Sequence, residues 1–504
     1  MLRLLWVTSL LLITGLGVWL ASSLVAYAGG PAALACVGGV VLFPVLPLWW
    51  EKRATDAFYA KLKRSTRLLP KKRALTASTR LALRTVAINT VFVAMLLVLW
   101  PQIAFAALAT RGDWFLRDAK GPWVERTRTV VVNAASGLEW LHNATRKNPY
   151  RTPEDAKVPV PDDVKPTVAV VTPYGEGRRW RRPDPAPLPV PAPVDPVQPE
   201  PGPVPVPVPT VREVPPLPKE APVYTVGSTS WPWAATVHPV VQAMTPYEES
   251  TLEGVARYIS SHTSDPFERV KALHDWVVTR LKYDSASVTG PRKPQDAQAV
   301  FDSRLGVCEG YARLLVEFGR ITGDKIMYVT GEVREPHGEL APVGHAWNAV
   351  EINGSWYLMD ATWDDPVMSD GSDAYGTDYL FIPPELAGLN HFPDEPRWQL
   401  RETPLSRAEF LRQPLATPGL AREHLVLKSP TGLVVSVSDT FALELENPAR
   451  AYVMVMIGQQ RCGPSNEAAL SLSCPVATGV HEAVVLVNGS RVGRYEGIAS
   501  FRLQ

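Results

Sequence analysis

Cysteine is scarce in this chain, with four in 504 residues. That is too few for the disulfide scaffolds that staple small secreted domains. The four also fall in different settings: Cys36 in an apolar run, Cys308 in a short Gly-flanked motif, and Cys462 and Cys474 as a close C-terminal pair. Net charge is equally small. The 51 Lys and Arg against 50 Asp and Glu leave a formal charge of +1, so no global field draws nucleic acid or an acidic partner. The acidic stretch Asp364, Asp365, Asp370, Asp373 and Asp378 lacks the spacing and closing Glu of a calcium loop. It reads as a solvated surface loop, and no metal or cofactor is expected. Proline is in excess at 49 residues, and the length calls for two or more domains.

Three apolar runs open the chain, at about 4–28, 32–50 and 85–109. Each approaches the ~20 residues that cross a ~30 Å hydrocarbon core. Ala26-Tyr27-Ala28 looks like a signal-peptidase site, but the apolar region before it is longer than a signal core, and it is read as a retained span. Between the second and third runs, residues 51–84 carry eleven Lys and Arg against Glu51 and Asp56. Positive loops stay cytoplasmic, so this loop places the N-terminus inside and everything after residue 109 outside a plasma or inner membrane. The loop is also suited to anionic lipid. Residues 111–148 mix Trp114, Phe115, Trp123 and Trp140 with Arg and Lys, as in an interfacial helix or a small packed subdomain.

Residues 149–222 hold 23 prolines. Proline fixes φ and has no amide donor, so an extended or disordered linker is expected. Fully extended, it would reach on the order of 200 Å, either as a stalk or as a simple tether. Beyond it a catalytic domain is expected over 223–417 and a β domain over 418–504. Thr245-Pro246-Tyr247-Glu248 and Asp265-Pro266-Phe267-Glu268 both read as helix starts. His274, within the second helix, reads as a packed or solvated histidine.

Gly306-Val307-Cys308-Glu309-Gly310 precedes a helical pattern that ends near Gly323. Cys308 therefore sits at a helix N-terminus, where free amides and the dipole favour negative charge. Asn353-Gly354 is a two-residue hairpin turn. It makes facing residues sum to 707 and sets His345, Trp347, Leu358 and Asp360 on one sheet face. His345 and Asp360 become diagonal neighbours, ~7–8 Å apart. A carboxylate so placed can orient an imidazole and support its charge.

These segments, with Arg269 to Trp276, Lys282-Tyr283-Asp284, His345-Ala346-Trp347-Asn348 and Asp360-Ala361-Thr362-Trp363, resemble the transglutaminase-like superfamily of papain-like fold. Asp378 to Phe381, His391-Phe392-Pro393 and Trp398-Gln399-Leu400 are similar to its kyphoscoliosis peptidase branch. The resemblance covers roughly 245–415. It implies an α+β catalytic domain with Cys308 as nucleophile, His345 as base then acid, and Asp360 as orienter. It also implies a second oxyanion donor from upstream, for which Tyr283, Gln295 and Gln298 are candidates. The substrate would be a peptide or protein amide, cell-wall peptide among the candidates, handled by hydrolysis or transfer. The alternative is a non-catalytic scaffolding or wall-binding module of the same fold.

From about residue 420 short strand-like runs alternate with turn residues, which predicts an all-β, sandwich-like domain. It would either bind substrate or simply pack. Outside the cytoplasm Cys462 and Cys474 are expected to form a disulfide worth ~3 kcal/mol.

Overall fold

The computed structural model describes all residues except 1, 31, 64–74, 117–118, 120, 147, 168, 174–221, 228, 335–339, 342, 366–374, 478 and 481. The centre of the basic loop, the repetitive part of the proline-rich stretch, Asp370 and Asp373 thus lie outside the described residues.

Three helices are long and apolar enough to cross a membrane: Trp6–Tyr27, Ala32–Lys61 and Ala77–Leu99. The third apolar run was expected to continue to residue 109, but its helix stops at Leu99. Trp100 leaves helical geometry at φ −139°, and Pro101 starts a new helix, Pro101–Arg111. Proline suits that start because its missing N–H would be unpartnered there anyway. Ala104, Phe105, Leu108 and Ala109 are buried with Leu20 and Leu96, and with Phe392, Phe410 and Leu411 of the later domain. Residues 101–109 therefore pack on protein, at the C-terminal ends of the first and third long helices. At the other end Glu51 pairs with Arg80 and Arg84.

Residues 111–148 form two further helices, Pro122–Ser136 and Glu139–Thr145. Trp123 and Trp140 stay exposed, while Val124, Val131 and Ala135 are buried. The second helix is fastened to the catalytic domain by a buried carboxylate. Glu332 receives Arg146 at 2.8 Å and His142 at 3.1 Å, and pairs with Arg407. Burial, then the Arg407 and Arg146 charges, push the His142 imidazole down to about 3, so it stays neutral. A buried carboxylate is tolerated only with such partners.

The expected linker begins too early at residue 149. Residues 148–167 lie along the catalytic domain: Val164 enters its core, the Thr167 hydroxyl donates to the Trp356 carbonyl at 2.7 Å, and the Thr167 amide donates to the Leu400 carbonyl at 2.9 Å. The backbone of Ala169–Pro173 then pairs antiparallel with Pro222–Val226. Side chains between the prolines supply the anchors that a proline count overlooks.

The domain that follows, expected to be catalytic, stacks helices on a five-stranded antiparallel sheet. The strands run in the order His391–Pro393, Lys325–Val333, His345–Ile352, Ser355–Met359 and Leu380–Ile382. Asn353 and Gly354 take φ of 53° and 78°, as a tight hairpin requires. The register pairs Ile352 with Ser355 and Asn348 with Met359, matching the sum of 707. Asp265 caps Pro266–Arg280 as expected, accepting from the amides of Phe267 and Glu268. The Thr245 start closes only a 3-10 turn, Glu248–Ser250; the helix proper, Leu252–His262, is capped by Thr251. The Cys308–Thr322 helix packs on the sheet, and Asn348 ties the two by donating to the Ala312 carbonyl at 3.0 Å. Trp276, Phe318, Trp356, Tyr357 and Phe381 fill the core between the layers.

The C-terminal part is two facing sheets. Thr440–Glu446 lies at the centre of one, with Val426–Ser429 and Ala469–Pro475. The other contains Gln460–Ser465, Tyr452–Ile457, Glu482–Asn488 and Glu496–Leu503. Thr440–Glu446 alternates buried and exposed residues, and its Phe441, Leu443 and Leu445 meet Val453, Val455, Val485 and Phe501. Cys462 and Cys474 are disulfide-bonded, with Cα atoms 5.8 Å apart, and join one sheet to the other.

Candidate active site

Cys308 is the first residue of its helix, after Val307 in extended geometry. The first amide bonded back into the helix is that of Tyr311, which donates to the Val307 carbonyl at 3.2 Å. The amides before it have no intrahelical acceptor and face the N-terminal end, beside the sulfur. Gln295 braces the approach, its Oε1 accepting the Val307 amide at 2.9 Å. Gly310 leaves room for that side chain: a Cβ there would lie 2.6 Å from Gln295 Oε1 and 2.7 Å from a Val300 methyl.

His345 opens its strand and Asp360 directly follows the next, so the hairpin register brings them together. His345 Nε2 is 2.6 Å from Asp360 Oδ2. The other oxygen, Oδ1, accepts the amides of Thr362 at 2.9 Å and Trp363 at 3.3 Å. The Cys308 sulfur lies near enough to act on the same imidazole. Burial opposes a charge on the imidazole, but the Asp360 carboxylate and then Cys308 outweigh it and raise His345 to about 10. Burial likewise opposes charge on Asp360, and His345 overcomes it, holding the carboxyl well below its ordinary range. The arrangement sets a thiol at a helix N-terminus beside an imidazole that is hydrogen-bonded to a carboxylate. It can generate a sulfur nucleophile and return a proton to a leaving group.

His391 joins the same carboxylate, its Nε2 lying 3.0 Å from Asp360 Oδ2. The sequence placed it only in a branch motif, with no site role. Its ring packs on Trp363 at 4.5 Å and Trp347 at 5.0 Å between centroids. Burial, the largest influence, lowers its pKa despite Asp360. A neutral ring has one N–H, and Asp360 is the strongest acceptor within reach. On its other side Nδ1 faces Asn390 Oδ1, a second acceptor, at 2.7 Å. Asn390 also contacts the Tyr379 hydroxyl at 2.8 Å. His345, Asp360 and His391 bring ligand-type atoms within 4.8 Å of one another, but those atoms are already spent on the imidazole–carboxylate bonds.

Of the upstream candidates, Tyr283 lies beside Cys308, where burial and then the sulfur push its phenol up. Gln295 acts on the backbone before the cysteine, and its Nε2 donates to the Lys293 carbonyl at 3.3 Å. Gln298 is exposed and bonded to Asp302 at 2.9 Å, on the helix Ala297–Ser303 and outside the constellation. One further neighbour was hidden in the expected linker: the buried Tyr150, which packs against Cys308.

The acidic stretch is not a solvated loop where it is described. Asp364 and Asp365 are buried. Asp364 lies 3.0 Å from His274 Nε2, and Asp365 accepts the Tyr311 hydroxyl at 2.6 Å. His274 is fully buried between Asp364 and Asp275. Burial disfavours its charge, yet the two carboxylates raise it to about 9. Lys271 completes the cluster at 2.6 Å from Asp275.

A helix-borne thiol facing a histidine and an aspartate on an antiparallel sheet belongs to a recognised class. Residues 253–361 match the family described as the Transglutaminase-like superfamily, so the chain carries a transglutaminase-like domain. The matched span contains Cys308, His345 and Asp360 and stops short of His391. Among curated proteins the chain is similar to kyphoscoliosis peptidase of Homo sapiens, 28% identical over 219 residues, covering 40% of this chain and 32% of that protein. The Mus musculus protein is 27% identical over 208 residues, with 39% and 32% covered. The chain thus spans about a third of the length of these relatives. A solved structure of a TGase is similar at 18% identity and a TM-score of 0.19, covering 24% of this chain and 34% of that one.

Proposed function

We propose that the protein is a membrane-anchored thiol enzyme that acts on peptide or protein amides outside the cytoplasm. The observation that carries this is the 2.6 Å bond from His345 to Asp360, with Cys308 at a helix N-terminus acting on the same imidazole. The Cys308 thiolate attacks the amide carbonyl and forms the C–S bond. The oxyanion is met by amides at the start of the Cys308 helix. His345 gives its proton to the nitrogen as the C–N bond breaks, and the amine leaves. The thioester then passes to water or to a second amine, with His345 taking the acceptor's proton. Water makes the enzyme a peptidase or amidase, and an amine makes it a crosslinker. Three apolar helices supply the anchor. The basic residues between the second and third favour a cytoplasmic loop and therefore an extracytoplasmic catalytic domain, with wall peptide among the candidate substrates.

The test is the rate at which Cys308 displaces iodide from iodoacetamide in the full-length protein in detergent, mapped by peptide mass. Replacing His345 with alanine is expected to lower that rate about tenfold or more at pH 7, as loss of a charged hydrogen-bond partner implies. No dependence on His345 would sink the reading. The burial of Cys308, 1% exposed, favours the non-catalytic alternative, and the same measurement decides between them. Release of amine from a peptide library, with and without an added amine acceptor, separates hydrolysis from transfer.

A further inference from the structure

Cys308 is covered by the chain's own membrane-proximal segment. Following the helix Glu139–Thr145, residues 148–157 cross the domain surface and set Tyr150 against Val307, Cys308, Ala312 and Ala346. Tyr150 is 4% exposed. It is held from three directions: its side chain packs on Cys308, its carbonyl accepts the Tyr328 hydroxyl at 2.7 Å, and the Arg292 guanidinium covers its ring at 4.7 Å. On one side of it, Asn148 donates to Asp394 at 3.1 Å and Arg151 to Glu395 at 2.8 Å. On the other, Asp155 accepts both terminal nitrogens of Arg313, a residue of the Cys308 helix, at 2.7 and 3.2 Å.

With the segment in place Cys308 is buried from solvent. None of the segment's contacts is needed to form the Cys308–His345–Asp360 arrangement. We propose that residues 148–157 are an intramolecular strap that binds the substrate groove as a peptide, with Tyr150 capping the nucleophile, and that the enzyme works only when the strap is displaced. The segment joins the membrane helices to the catalytic domain, so a pull or a rearrangement at the membrane face acts directly on the cap. The inference rests on the thiol-enzyme reading of the same site.

The experiment compares Cys308 alkylation by iodoacetamide in the full chain in detergent across three changes. Tyr150→Ala removes the cap. Arg151→Ala with Asp155→Ala removes two surface pins and leaves Tyr150 in place. His345→Ala is added to each. Melting temperature confirms that each variant is folded. Alkylation is expected to rise about tenfold in Tyr150→Ala and severalfold in the pin variant, the scale of losing one or two charged hydrogen bonds. An unchanged rate in both folded variants overturns the strap. The two readings fail separately. A rate that rises on strap release but ignores His345 leaves the strap and removes the catalytic role. A rate that falls with His345→Ala but never rises on strap release does the reverse.

Discussion

His345 and His391 share one oxygen. Both Nε2 atoms meet Oδ2 of Asp360, at 2.6 and 3.0 Å. The carboxylate therefore has a fixed partner in His391, which stays neutral by burial, and a working partner in His345, which carries charge. In the proposed reaction His391 acts through Asp360 as a positioning residue, keeping Oδ2 aimed while His345 exchanges its proton.

The sharing predicts a graded series. Asp360→Asn should lower the Cys308 alkylation rate at pH 7 about tenfold or more, since it removes the charge that holds the imidazole protonated. His391→Ala should lower it less, by about 10-fold at most in the range seen for outer partners of catalytic ligands. His391→Gln, which retains an N–H donor, should restore most of the loss. A His391→Gln variant as impaired as His391→Ala would show that the ring matters only for packing.

A second expectation concerns pH. His345 is raised from its ordinary 6.5 to about 10, so its proton is present across neutral pH and is lost as pH rises through about 10. The favourable pairing it makes with Asp360 is complete below 6.5 and disappears over the same rise. Amide turnover that depends on proton return to the leaving amine should hold through pH 9 and fall above about 10. Initial rates at 25 °C across pH 7–11 check this, and a fall centred near pH 7 would contradict it.

His274 gives a stability prediction with the same sign. Its folded pKa of about 9 exceeds the ordinary 6.5. Its contribution is full below 6.5 and is lost as pH climbs through about 9. His274→Ala strands Asp364 without its ring partner in a buried site and should cost about 3–5 kcal/mol. Thermal melts of wild type and variant at pH 6 and 9.5 test both points: the difference between the two proteins should shrink at the higher pH.

Gly331 lies where two strands close on the site. A Cβ there would be 2.3 Å from the Phe392 carbonyl oxygen and 2.4 Å from the Trp347 ring. The strand bearing His391 would have to move, so Gly331→Ala should destabilise by about 1–3 kcal/mol and slow Cys308 alkylation. Gly489→Ala meets nothing within 4 Å and should change stability by less than about 0.5 kcal/mol.

In the β domain, replacing Cys462 and Cys474 together by serine should cost about 3 kcal/mol, the loop-closure effect for a separation of 12 residues. Differential scanning calorimetry before and after reduction gives the same comparison in the unmodified chain.

Local pattern was enough for much of this. The turn chemistry of Asn353-Gly354 and a period of two set the register, and register alone decides that His345 meets Asp360. Gly306 and Gly323 bound the helix that lifts Cys308 to an N-terminus. The apolar runs mark three membrane-length helices, although Pro101 ends the third early. Those features depend on neighbours in sequence, and physical chemistry over a few residues determines them. The rest depended on segments far apart in the chain. Tyr150 reaches Cys308 across 158 positions, and nothing in its proline-rich surroundings signals it. His391 reaches Asp360 across 31, by a pairing of short strands with no periodic signature. Asp364 looked like part of a surface charge run until His274, 90 residues away, buried it. A side chain's charge and shape are written in the sequence, but which partner compensates its burial is settled only when distant surfaces close on each other.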